Sequence, residues 1–131
     1  PKSRSAMNWL MVALGGAAGS VLRYGAHRMA VNYAGADTVL GTLAVNLTGS
    51  FILGFLATML IGRFSVPEEV RNLLTVGLLG GFTTFSAFSL DTMRLLETGR
   101  AAVAFSYVGA SVILSLAACL LGLWVAREVL A

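Results

Sequence analysis

Four long apolar runs dominate the chain, at about residues 8–30, 40–61, 70–97 and 101–126. A helix needs about 20 apolar residues to cross a bilayer, and each run meets that length. The pattern predicts an all-α membrane protein with four transmembrane helices in one domain spanning residues 1–131. Polar punctuation separates the runs. Residues 31–39 carry Gly35 and Asp37. Residues 62–69 end in Pro67, Glu68 and Glu69, which suit a helix start and its first turn. Residues 98–100 form a tight turn. Connections this short make neighbouring spans antiparallel. No small-residue cleavage site follows a short apolar run, so the first run is read as a retained span rather than a signal peptide.

The third run is interrupted. Leu79-Gly80-Gly81-Phe82-Thr83-Thr84-Phe85-Ser86-Ala87-Phe88-Ser89 sets two glycines and four hydroxyl residues at mid-span. Adjacent glycines followed by β-branched threonines make a poor helix centre. The expectation is that residues 80–84 leave the helix. Lipid offers no partner for a freed carbonyl, so such a segment must be buried in protein or line a wet path. No Lys or Arg stands near it in the chain, and a desolvated cation shared between two subunits is the expected partner, with helix packing around an ordered water as the alternative.

Polar residues fall on stripes. Thr42, Asn46 and Ser50 stand at i, i+4 and i+8 in the second run, on one helix face. Asn46 is the strongest member, because a membrane-buried amide must bond a neighbouring helix or a permeant species. Tyr107, Ser111 and Ser115 repeat that spacing in the fourth run. Phe85 and Phe88 share a face just past the interruption; an aromatic ring carries a positive edge that can favour an anion. Packing is the plainer role for each stripe, and the hydroxyls of Thr84 and Ser86 complete the set of donors. Arg23 is the one cation inside a span, near its end, and suits a vestibule or structural role.

Composition narrows the classes. The 131 residues are 57% hydrophobic and 11% charged, too apolar for a soluble domain. The nine Lys and Arg residues are scattered, which excludes nucleic-acid binding despite an isoelectric point near 9.6. His27 is the only histidine and Cys119 the only cysteine, so the chain holds no His-based triad, multi-histidine metal site or internal disulfide. Lys2, Arg4, Arg63, Arg71 and Arg127 fall on one side of the membrane, and Arg23, Arg28, Arg94 and Arg100 on the other. That balance fixes no orientation by the positive-inside rule. It admits copies inserted both ways and paired head-to-tail, or one orientation set by another determinant.

Three blocks carry a resemblance. Gly15-Gly16-x-x-Gly19-x-x-x-Arg23-Tyr24, Gly41-Thr42-Leu43-Ala44-Val45-Asn46 and the segment Gly80–Ser89 resemble, in order and spacing, the span motifs of the Fluc/CrcB family of small fluoride channels. The resemblance covers essentially the whole chain. It implies an antiparallel, dual-topology homodimer in the inner (plasma) membrane, with two anion pores and a third helix broken mid-membrane. It places Asn46, Phe85, Phe88, Tyr107, Ser111 and Ser115 in the pore, with Thr42, Thr84 and Ser86 as further lining candidates. Backbone carbonyls of Gly80 and Thr83 would hold a central structural sodium ion (Na+). Ala87 stands where a threonine is common and Asp91 where a glutamate is common. The implied function is passive fluoride export conferring fluoride resistance, with fluoride, sodium, lipid and a second copy as partners. The rival is a small proton-coupled multidrug-type antiporter, which needs a mid-membrane carboxylate that the first span lacks.

Overall fold

A computed structural model of the chain describes residues 2–60 and 64–130. Helix α1 covers Lys2–Ala34 and α2 Leu40–Thr58. The third run is composite: α3 (Glu68–Asn72), a π-helical segment (Leu73–Leu79), α4 (Gly80–Phe82), two extended residues and α5 (Phe85–Glu97). Helix α6 covers Ala101–Leu130. Four helical stretches are thus long and apolar enough to cross a membrane: Lys2–Ala34, Leu40–Thr58, Glu68–Glu97 and Ala101–Leu130. The expected end of the second span at Ile61, the loop beginning at Gly62, and Arg63 of the charge balance lie outside the described residues.

Helix ends follow local chemistry. Helix α1 runs past its expected end because nothing breaks it before Gly35. That glycine is left-handed at φ 96°, and its N–H bonds to the Val31 carbonyl at 2.8 Å, a simple left-handed stop. Helix α5 ends at Gly99, at φ 76°. There Gly99 N–H reaches Leu96 O and Arg100 N–H reaches Leu95 O, the two bonds of a Schellman motif. At the other end of the third run, Glu68 and Glu69 open α3, and Glu69 pairs with Arg4 of α1 at 3.4 Å.

Packing is backbone on backbone. A Cβ at Gly15 would overlap the Leu73 carbonyl oxygen, and one at Gly19 the Leu78 carbonyl oxygen. Helix α1 therefore lies directly against the π-helical segment and α4. Gly54 of α2 and Gly122 of α6 are pressed in the same way against Cys119 O and Phe51 O. This is the small-residue packing that lets membrane helices approach without a hydrophobic driving force. The buried cluster is small, formed by Phe88, Leu95, Ala104 and Tyr107 between α5 and α6. Large apolar side chains instead point outward, among them Trp9, Val21, Ile113 and Leu116. That inside-out distribution suits a lipid or subunit environment.

Two expectations for the third run need correction. Residues 80–82 are helical, with Gly80 at φ −62°, ψ −39°; only Thr83 (ψ 158°) and Thr84 (φ −154°, ψ 124°) are extended. Gly81 serves close packing: a Cβ there would meet Gly16 O at 2.7 Å, whereas one at Gly80 would meet only Thr75 O at 3.7 Å. At Gly81, contact with α1 outweighs the helix penalty of about 1 kcal/mol. The second correction concerns cations. Arg23, distant in sequence, reaches this segment in space and donates from Nε to Gly81 O at 3.1 Å.

Candidate anion pathway

The two extended residues are held from both sides. On the α2 side, Asn46 uses its whole amide: Nδ2 donates to Thr84 O at 2.9 Å and Oδ1 accepts from Thr84 N–H at 2.8 Å. On the α1 side, Arg23 holds Gly81 O. Thr84 then caps α5, its Oγ1 accepting from Ala87 N–H at 3.1 Å. Thr83 closes α4 backward, with both N–H and Oγ1 donating to Leu79 O. Gly49 of α2 makes room, since a Cβ there would overlap Thr83 Cγ2.

This arrangement redirects backbone donors. In an unbroken helix Thr84 N–H would serve Gly80 O, and Ala87 N–H would serve Thr83 O. Both are given to side chains instead, to Asn46 and to Thr84 Oγ1. The Gly80 and Thr83 carbonyls thereby lose their helical donors. Neutral carbonyl oxygens of this kind are a donor set for a hard monovalent cation.

Two cavities meet the turn, and Thr84 lines both. The first, about 320 Å³, brings together Asn46, Phe85, Phe88, Ser111 and Ser115, five of the residues singled out in the sequence. Among the described residues, no charged side chain lines it. Phe88 is buried and Phe85 is 76% exposed at the mouth, their ring centroids 5.4 Å apart. Ser111 lines this cavity, and its Oγ is buried with no hydrogen-bond partner among the described residues. Ser86, a lining candidate in the sequence, is not among the residues lining either cavity; its Oγ lies 3.2 Å from Thr84 Oγ1.

The second cavity, about 380 Å³, is lined by Arg23, His27, Thr42, Asp91 and Arg94 among others. Thr42 and Tyr107 line different surroundings from their stripe partners. Thr42 Oγ1 donates to Asp91 Oδ2 at 2.8 Å, and Tyr107 OH donates to the same oxygen at 3.2 Å. Tyr107 itself packs behind Phe88, with ring centroids 5.3 Å apart. Asp91 joins α2, α5 and α6 through contacts 49 and 16 residues apart, which its place in the chain does not reveal. The spacing of Thr42 and Asp91 on the faces that meet at Asn46 and Thr84 was the available signal.

The family model described as CrcB-like protein, Camphor Resistance (CrcB), matches residues 10–123. The chain belongs to the CrcB family. It is a multi-pass membrane protein. CrcB-family relatives named fluoride-specific ion channel FluC align along nearly its full length. The protein from Rhizobium etli (strain CIAT 652) is 51% identical over 117 residues, 89% of this chain and 94% of the relative. That from Caulobacter sp. (strain K31) is 50% identical over 121 residues, 92% of this chain and 94% of the relative. That from Agrobacterium fabrum is 43% identical over 122 residues, covering 93% and 98%.

Proposed function

We propose that this CrcB-family chain is a passive, fluoride-selective channel of the plasma membrane, working as an antiparallel homodimer. The observation that carries the reading is the first cavity. It brings hydroxyl and amide groups and two phenylalanine rings together, and among the described residues no charged side chain lines it. Uncharged donors suit an anion that must enter and leave, since a fixed cation would retain it. The relatives' name supplies fluoride as that anion. Inside-negative membrane potential drives an anion outward at about 2.3 kcal/mol per charge per 100 mV, so export needs no nucleotide.

Pairing of two copies is supported by the balanced charge of the two membrane sides, and by Phe85, whose exposure a second copy would reduce. In that assembly the extended turns lie mid-membrane. The Gly80 and Thr83 carbonyls, which lack their helical donors, fit the sodium ion implied for the family, and each subunit would contribute them. Such an ion supplies positive potential and cross-links the subunits. The proton-coupled antiporter reading would rest on Asp91, the one carboxylate lining the second cavity, which accepts two hydrogen bonds there.

Purified protein in liposomes decides between them. Fluoride leaves down its gradient while chloride is retained, with no nucleotide or proton gradient supplied. Equal rates for the two anions, or transport that requires a proton gradient, contradicts the channel reading.

A further inference from the structure

We infer that Arg23 is a positioning residue for the conduction path, acting through one placed N–H rather than through its charge. The inference rests on the channel reading above and extends it to a residue that touches no permeant ion. The geometry begins one turn earlier. Gly19 lies against Leu78 O and Phe82 N–H, which brings the α1 backbone into contact with α4. From that base the Arg23 side chain reaches Gly81 O with Nε at 3.1 Å.

The Gly81 carbonyl is the one that Phe85 N–H would serve if the helix continued. Arg23 takes that place from outside the helix. Asn46 holds Thr84 from α2, on the far side of the same turn. The two side chains thus fix both ends of the extended residues. With Gly81 O turned toward α1, the carbonyls of Gly80, Phe82 and Thr83 remain without helical donors. Arg23 therefore sets which oxygens face the proposed cation and how Thr84, shared by both cavities, is presented.

Side-chain topology makes the idea testable. Gln carries its Nε2 at the same number of bonds from the backbone as Arg Nε, and is uncharged. Lys keeps the charge but places its nitrogen one bond further out. Positioning predicts that Arg23→Gln outperforms Arg23→Lys; attraction of anions by charge predicts the reverse. A charge-assisted bond is worth more than a neutral one, so Arg23→Gln should keep fluoride flux within about threefold of wild type. Arg23→Met, with no donor, should lose roughly tenfold or more.

The bond itself is read separately. Gly–Phe pairs occur only at Gly54–Phe55 and Gly81–Phe82. Labelling glycine carbonyl carbon and phenylalanine nitrogen isolates two resonances, with Gly54 as internal control. The Gly81 resonance should move in Arg23→Met and hold in Arg23→Gln, while Gly54 holds in both. An unmoved Gly81 resonance in Arg23→Met overturns the inference, as does Arg23→Lys conducting as well as or better than Arg23→Gln. If the wild-type protein passes no fluoride, the channel reading fails, and the Gly81 resonance alone decides whether Arg23 sets the turn.

Discussion

Replacing Asn46 probes the turn from its α2 side. Asn46→Ala removes the donor to Thr84 O and the acceptor for Thr84 N–H. Each half-buried backbone group left without a partner costs about 1–3 kcal/mol. The adjoining cavity lets water recover part of that, so the net loss is about 2–4 kcal/mol. At tenfold per 1.4 kcal/mol, the held turn becomes about 30- to 700-fold less favoured against its alternatives. Asn46→Asp separates the two bonds. A carboxylate still accepts from Thr84 N–H, but it sets negative charge against Thr84 O and into the cavity; a protonated carboxyl donates as the amide did. The variant's stability is therefore recovered where the introduced carboxyl is protonated and lost where it ionises. Two assays follow: fluoride efflux from liposomes at neutral pH, and thermal unfolding in detergent at about pH 7.5 and about pH 5. Both variants should lose flux by at least about tenfold. Only Asn46→Asp should regain thermal stability on acidification. Wild-type flux and unfolding in Asn46→Ala would refute the claim that this amide holds the turn.

Other outcomes follow from packing and exposure. Gly19→Ala should lower the unfolding temperature sharply, because its Cβ would overlap Leu78 O, while Gly109→Ala, whose Cβ meets nothing within 4 Å, should be neutral or slightly stabilising; equal unfolding temperatures would deny the backbone contact. Phe85→Ile should slow fluoride efflux with little effect on protomer stability, since Phe85 is 76% exposed, whereas Phe88→Ile at 9% exposure should lower both. Full flux in Phe85→Ile would reduce that ring to packing. In a Cys119→Ser background, a single cysteine at one terminus should be labelled in about half the copies from each membrane side; labelling from one side alone would exclude dual topology.

Much of the architecture is visible in the sequence because it is local. Four apolar runs, the tight turn at residues 98–100, and Glu68 and Glu69 at a helix start all read directly, whereas the first helix runs on past residue 30 to Ala34. The first cavity was legible through spacing: Asn46 on one stripe, Ser111 and Ser115 on another, Phe85 and Phe88 just past the interruption. What stayed hidden depends on the other helices. Gly80 and Gly81 read as breakers, yet both remain helical, and α1 packs on the backbone of Gly81. The π-helical turn at Leu73–Leu79 has no signal in Leu-Leu-Thr-Val-Gly-Leu-Leu. Arg23 to Gly81 spans 58 residues, and Tyr107 stands on the donor stripe but spends its hydroxyl on Asp91. Periodicity shows which face a residue occupies; it does not show which helix that face meets.

The central claim, an uncharged passive pathway selecting fluoride, is tested most directly by its electrical signature. Purified protein in a planar bilayer faces fluoride on both sides, with chloride replacing most of it on one side, at equal pH and without nucleotide. The account predicts a steady current whose reversal potential lies near the fluoride equilibrium value and does not move when a pH gradient is added. Reversal near zero, or a potential that follows the proton gradient, would contradict it.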